Sequence, residues 1–407
     1  MTRRMRIALH DFAGHPFQFQ LSRALAARGH TVNHFYFAGD PGPKGRTGRE
    51  ESDPDTFAVT PLEIGRPYLK SDFVGRWRND SAYGRVAGAA LARFKPDVVM
   101  SGNTPLDAQV AILRAAHANG AAFVDWVQDF YSLAIDRILS SRYLGLGRLV
   151  STYYGAKERA ILARSDGVVL ISDDFKSFAP SLASRGDDIA VIPNWGALDE
   201  IEVRPKQNPW SVQYGLADKF VFLYSGTLGL KHNPDHLLRL ADAFADRDDV
   251  VIAVAAAGLG MDRLLADLRT NPRRNLRTFP LQPFDRFSDL LGSSDVLLAL
   301  LENDAGDFSV PSKILSYLCA ARPILLSAPL SNLASRVIGE AGAGVVTPSA
   351  SSQAFVSAAQ KLYDQPEIGD DMAKRGRRYA VDHFDIRRLT DQFEAVLERS
   401  IRSRGAH

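Results

Sequence analysis

The sequence predicts an α/β protein built from two doubly wound parallel sheets that face one another across a cleft. Short β-rich apolar runs alternate with amphipathic helical stretches along nearly the whole chain, and the alternation lapses once near the middle. The 407 residues are enough for two separate cores. Parallel strands need crossover helices on both faces, which makes the strand runs continuously apolar rather than alternating.

In the first series, Arg6–Leu9 reads as a buried strand and Asp11–His15 as a turn. Pro16–Arg28 follows as a helix with Phe17, Leu21 and Leu25 on one face and Gly29 as its stop. Further strands are expected at Thr31–Phe37, Asp97–Met100, Ala121–Val127 and Gly167–Ile171, with helices near Thr104–Ala118, Leu144–Ala163 and Asp174–Ser184. The periodicity lapses over Gly196–Trp210, a charged and proline-rich stretch. The second series places strands at Phe220–Tyr224, Val250–Ala255, Leu276–Phe279, Val296–Leu300, Pro323–Leu326 and Gly344–Val346. The tail is amphipathic, with Leu389, Phe393, Val396 and Leu397 at helical spacing. The expected organisation is a first domain over 1–192, a connection over 193–210, a second domain over 211–383, and a helix over 384–407 packing across both.

Composition narrows the function. Lys plus Arg number 49 against 47 Asp plus Glu, a net +2 that gives no field suited to a dedicated nucleic-acid binder. The single cysteine, Cys319, excludes intramolecular disulfides and zinc sites of several cysteines, and points to a reducing compartment. The basic start, Met1–Arg6, is followed by no apolar segment of signal-peptide length, and no run reaches the ~18 apolar residues of a membrane span. The expectation is a cytoplasmic protein, with a basic and apolar patch of Arg137, Arg142, Tyr143, Leu144, Leu146 and Arg148 that is either one packed helix or a contact with anionic lipid.

Ligands of open α/β sheets bind beyond the carboxyl ends of the strands, so the loops there carry the candidates. In the second sheet, Ser225-Gly226-Thr227-Leu228-Gly229-Leu230-Lys231 runs from a strand into a helix that Asn233 caps and Pro234 opens. Glycines admit backbone N–H groups to a ligand, the helix start adds partial positive charge and Lys231 a full one; the same features also make a tight turn with a solvated lysine. A second loop, Glu302 to Lys313, holds Asp307, Ser309, Pro311 and Ser312 and opens another helix. Lys313 falls in the first turn, where the macrodipole disfavours a cation by roughly 0.3–1 kcal/mol. Its compensation is either Glu302, Asp304 or Asp307, or a diphosphate shared with Lys231. In the first sheet, Asp125-Trp126-Val127-Gln128-Asp129 ends a strand, and Asp129 serves as a base, as an orienter of a hydroxyl, or as a helix cap. Gly14 and His15 either admit a ligand or form a turn.

No dinucleotide fingerprint follows the first strand, and no Walker loop or nucleophile elbow is present. Asp53-Pro54-Asp55 is a formal carboxylate pair for metal-assisted chemistry, but it sits in a polar loop.

With Val310-Pro311-Ser312-Lys313 and the loop from Ser225 to Lys231, the two-sheet plan resembles the GT-B glycosyltransferases, in particular the family 4 enzymes of bacterial surface polysaccharides such as O-antigen and colanic acid. His10–Phe17, Asn103–Asp107, Trp126–Asp129 and Pro193–Trp195 fit the same subgroup, so the resemblance spans essentially the whole chain. It implies two facing Rossmann-like domains, a nucleoside diphosphate sugar bound by the second and an acceptor, a glycan or a polyprenyl-diphosphate-linked glycan, bound by the first. It also implies transfer with retention of configuration, no bound metal and no cofactor beyond the donor. Lys231 matches the family's diphosphate lysine, while both glutamates of its Glu-x7-Glu segment are replaced, by Phe308 and Ser316. The resulting assignment makes Asp129, Lys231 and Lys313 catalytic, and Gly14, Gly226, Thr227, Asp307, Ser309, Pro311 and Ser312 donor-binding. A sugar-nucleotide 2-epimerase and a non-catalytic partner subunit that kept the nucleotide cleft are the alternatives.

Overall fold

A computed structural model describes residues 3–40, 42–65, 73–133, 135, 146–178, 182, 185–229, 232–302 and 312–405. The chain divides into two units, Met1–Pro193 with Ile386–His407, and Asn194–Asp385.

The first unit is a parallel sheet of β1 (Arg6–Asp11), β2 (Thr31–Phe37), β3 (Phe57–Leu62), β4 (Val98–Gly102), β5 (Ala122–Val127), β6 (Gly167–Leu170) and β7 (Ile189–Val191), in the order β3-β2-β1-β4-β5-β6-β7. The second is a parallel sheet of β8 (Phe220–Thr227), β9 (Val250–Ala257), β10 (Leu276–Phe279), β11 (Val296–Leu300), β12 (Ile324–Ser327) and β13 (Gly344–Thr347), in the order β10-β9-β8-β11-β12-β13. Each sheet starts in its middle and winds outward both ways, so the strand order reverses at β1 and at β8. Those two strands therefore mark the switch points where such sheets bind ligands.

Two strands and one helix were not legible in the sequence. β3 is an edge strand whose run, Phe57-Ala-Val-Thr-Pro-Leu62, is buried only at its two ends and carries a proline that only an edge tolerates. β7 has three half-buried residues. The Phe73–Phe94 helix is rich in arginine and glycine, and its apolar face is weak. It lies against the Leu106–Ala118 helix because Gly84 and Gly88 remove the obstacle: a Cβ at Gly84 would stand 2.7 Å from the Cβ of Ala111, and one at Gly88 3.1 Å from that of Ala115.

The tail forms the Ile386–Gly405 helix, which belongs to the first unit and packs on β4, β5, β6 and the Pro16–Ala27 helix. Phe393 meets Trp126 with ring centroids 4.6 Å apart. Glu394, nearly buried, accepts from Arg28 at 2.7 Å and pairs with His30 at 2.9 Å. Cys319 is core: its thiol donates to the Leu315 carbonyl, and burial pushes its pKa up to about 12.

Candidate functional site

In the second unit, Gly226 is the last residue but one of β8, and its φ of +109° is in the left-handed region that favours glycine. The loop then tucks under the end of β9. The Leu228 N–H donates to the Ala257 carbonyl, and the Gly260 N–H donates to the Leu228 carbonyl at 2.8 Å. Only glycine fits at 258 and 260, since a Cβ there would stand 2.9 and 2.8 Å from the Leu228 oxygen.

The Lys313–Cys319 helix is fixed to the same strand end by Tyr317, whose hydroxyl accepts from the Ser225 N–H at 3.0 Å. Lys313 lies one turn earlier on the same helical face. Its Nζ stands 3.6 Å from the centroid of the Tyr224 ring and 3.8 Å from where a Cβ on Gly226 would be. The Tyr224 hydroxyl is occupied, donating to the Thr227 carbonyl at 2.7 Å. Buried and without a hydrogen-bond partner among the described residues, Nζ has its pKa driven well below the ordinary lysine range by desolvation. A ring face recovers only part of the lost hydration. The arrangement thus holds a buried amine whose charged form an anion would stabilise.

Gly226 and Lys313 are therefore brought together as expected. Thr227 and Ser312 are exposed next to them in the chain, Ser312 at the helix start without a side-chain cap bond. Lys231, Asp307, Ser309 and Pro311 lie outside the described residues, as do Asp304, Phe308 and most of the basic patch. The next helix spans Asp235–Ala243, so Pro234 is its cap residue rather than its first member, while the Asn233 carboxamide still accepts from the Asp235 N–H at 3.0 Å.

In the first unit a chain of hydrogen bonds links polar groups at the strand ends. His10 meets Ser101 Oγ at 2.9 Å and the Tyr83 hydroxyl at 2.7 Å. Ser101 donates to Gln109 at 2.6 Å, and Gln109 donates to Asp125 at 2.8 Å. Burial raises the Asp125 pKa to about 7, against the Gln109 bond and with help from nearby Glu158. Burial lowers that of His10 to about 4. A small cavity of about 30 Å³ opens beside this chain, lined by Asn103, Gln109, Asp125, Asp129, Tyr131 and Glu158.

Asp11 closes β1 on a turn in which Gly14 has φ +76°. Its carboxylate accepts from the N–H groups of Ala13 and His15 and pairs with His15 Nδ1 at 3.2 Å. Asp129 is half-buried and acts electrostatically on His15. Gly14 and Asp129 thus belong to one cluster centred on a histidine whose role the sequence left open. The polar chain from Tyr83 to Asp125 went unread; its one visible sign was charged residues, Asp11 and Asp125, inside apolar strand runs. Asp53 accepts from Arg23 at 2.8 Å, and exposed Asp55 pairs with Arg49, so that carboxylate pair is held in separate ion pairs. Among the described residues no group of three or more His, Cys, Asp or Glu is disposed to hold a metal.

The folds of solved glycosyltransferases match this architecture along its length. WaaG, a glycosyltransferase involved in lipopolysaccharide biosynthesis, superposes with a TM-score of 0.67 at 17% identity over 96% of this chain and 99% of its own. The family model for a glycosyl transferase 4-like domain matches residues 16–195. The chain has the GT-B fold and carries a glycosyl transferase 4-like domain over residues 16–195. Among curated proteins similar to it is the Escherichia coli K12 protein named "Putative colanic acid biosynthesis glycosyl transferase WcaI", 27% identical over 248 residues; the match spans 59% of each chain. Anabaena HepE, solved in complex with UDP, superposes with a TM-score of 0.66 at 14% identity over 97% of this chain and 100% of its own.

Proposed function

We propose that this chain is a retaining, metal-independent glycosyltransferase of hexosyl or N-acetylhexosaminyl type. It moves a sugar from a nucleoside diphosphate sugar to a glycan or polyprenyl-diphosphate-linked acceptor in surface polysaccharide synthesis. One observation carries the reading: Lys313, a buried amine with no partner among the described residues, held against Gly226 at the switch point of the second sheet. The HepE complexes with UDP and with UDP-glucose, and the polysaccharide and lipopolysaccharide names of WcaI and WaaG, support the donor class and the biological setting.

In this reading the bond from the anomeric carbon to the diphosphate oxygen breaks and its electron pair stays on the diphosphate. The acceptor oxygen bonds to the anomeric carbon on the same face, and its proton leaves with the diphosphate. Lys313, with Lys231 by family resemblance, stabilises the growing negative charge from a fixed, poorly hydrated position. Gly226, Thr227, Asp307, Ser309, Pro311 and Ser312 hold the donor together with Gly14, and Asp129 orients the acceptor hydroxyl. The two lysines do the work that a divalent ion does elsewhere, so chelators leave the rate unchanged.

We place the enzyme at the cytoplasmic face of the membrane. Among the described residues no helix is long and apolar enough to cross a bilayer. Exposed Arg148, Leu149 and Tyr153 share one end of the Leu146–Arg164 helix and suit a surface contact.

The test is a thermal-shift screen with UDP, GDP, ADP and dTDP, followed by transfer from the matching nucleotide sugar to acceptor extracts. A diphosphate at 100 times its Kd stabilises the fold by about 2.7 kcal/mol. The product's anomeric coupling constant reports retention. Protein that binds a diphosphate yet moves no sugar to any extract, with or without added metal, overturns the reading.

A further inference from the structure

His15 stands where the first sheet ends, and its surroundings have the form of a built contact. Asp11 fixes it twice, by accepting from its backbone N–H and by pairing with Nδ1, so the ring is oriented before any ligand arrives. The left-handed turn at Gly14 makes this short return possible. Nε2 has no hydrogen-bond partner among the described residues, and the side chain is 26% exposed. One turn along the same helix, the Gln18 carboxamide has no exposed surface and no partner on either atom among the described residues. It occupies the space left by Gly102 at the end of β4, since a Cβ there would be 3.3 Å from its nitrogen. A group held on one side and open on the other, beside an unpaired buried amide, is the usual signature of a hydrogen-bonding ligand site.

We propose that the Asp11–His15 pair is an acceptor-binding contact of the first domain, the ring being held through Nδ1 by Asp11 and donating its Nε2–H to a hydroxyl oxygen of a glycan. The inference rests on the transferase reading for its choice of ligand, and adds a residue and a chemical class to it.

The charge state supports a donor rather than a proton acceptor. Burial opposes the imidazolium, and the start of the Pro16–Ala27 helix opposes it too, yet Asp11, Asp40 after β2 and Asp129 after β5 outweigh them and raise its pKa. Lys44 also approaches this turn, its Cγ 3.4 Å from a Cβ position on Gly14 and its ammonium turned to the Asp40 carbonyl. The neighbouring histidines differ: burial lowers His10 to about 4 and His34 to about 3, so both are neutral at pH 7. A charged N–H donor discriminates sharply between a sugar with the matching hydroxyl and one without.

The experiment follows the ring nitrogens of His15 in the full-length, nitrogen-15-labelled protein by NMR from pH 6 to 9, with octyl glucoside, octyl galactoside and octyl N-acetylglucosaminide as probes below their micelle concentrations. The His15 resonance is assigned by its loss in His15→Gln. Transfer to the same probes is assayed in parallel. The expected result is that one probe shifts the His15 signal and holds the ring protonated to higher pH. His15→Ala raises that probe's Kd about 10- to 100-fold while the UDP Kd stays constant. His15→Gln, which keeps an N–H near the Nε2 position, recovers most of the loss and removes the pH dependence. An enzyme that transfers sugar to a probe without any response at His15, or with His15→Ala binding it normally, overturns the proposal and leaves the transferase reading intact. His15→Gln and His15→Ala equally impaired in kcat, with probe binding unchanged, also overturn it, by showing a proton acceptor. A probe that shifts His15 but receives no sugar upholds the contact, and the transferase reading then falls only if transfer to every acceptor extract fails as well. No shift with any probe overturns the proposal.

Discussion

Two sheets of the same topology end in opposite ways. At the ends of β1, β4 and β5 a hydrogen-bonded chain runs from Tyr83 through His10, Ser101 and Gln109 to Asp125, and Asp11 secures His15, with the Gln18 carboxamide beside them unpaired among the described residues. At the end of β8 the described surroundings are glycine, backbone and aromatic ring, and among the described residues Lys313 has only the Tyr224 face. A satisfied network is rigid and orients neutral hydroxyls, whereas an uncompensated buried amine selects an anion. The shared winding provides the location, and the residues at the strand ends decide the ligand.

The contrast breaks most directly at Lys313. Lys313→Met, close in volume and uncharged, is expected to lower kcat about 10²- to 10³-fold and to raise stability by roughly 1–3 kcal/mol, measured by transfer assays and by denaturant titration. Because the folded-state pKa lies below the unfolded one, the cost of the native lysine is present in full below the folded value and fades as pH rises toward roughly 10.4. The stability gain of the variant shrinks over that range. An unchanged kcat would remove the reason for treating the two strand ends as different.

Glu394→Ala tests the first unit alone. It leaves His30 without its buried acceptor and removes one of the two carboxylates on Arg28, which keeps Asp391, and should cost about 1–3 kcal/mol in a denaturant melt while the Kd for UDP is unaffected in whatever protein stays folded. Weaker nucleotide binding at equal folded fraction would contradict the assignment of the terminal helix to the first unit.

Asp125→Asn comes next in size. The native carboxyl has its pKa raised to about 7, so its destabilising effect is absent below the unfolded value, grows through the interval up to about 7 and then levels off. The variant should gain roughly 1–3 kcal/mol on the native protein at pH 8 and nearly nothing at pH 4, read as the difference between two melts. The smallest effect belongs to Gly226→Ala, where the left-handed φ costs about 1 kcal/mol while the 3.8 Å spacing to Lys313 forbids nothing sterically. A modest Tm loss with a modest rise in the diphosphate Kd is expected.

Much of this was legible in the sequence where burial leaves a strong pattern. β11 is an uninterrupted apolar run, β1 and β8 carry apolar runs over Ile7–Leu9 and Phe220–Tyr224, and Gly29 and Pro16 mark helix ends by backbone chemistry alone. β3 was hidden because an edge strand is half solvated and need not alternate cleanly, and the Phe73–Phe94 helix because small residues, not large apolar ones, make its contact. Lys313 was legible as a cation in an unfavourable place, but its burial against Tyr224 depends on Tyr317 binding Ser225, a contact 92 residues apart in sequence. The hold of Asp11 on His15 went unread because their spacing of four spans a left-handed turn rather than a helix.

The central claim is that a nucleoside diphosphate supplies the partner that Lys313 Nζ lacks among the described residues. Calorimetric titration of the stabilising diphosphate into the native protein and into Lys313→Met measures this directly. The account expects most of the affinity to be lost in the variant; equal affinity in the two proteins would contradict it.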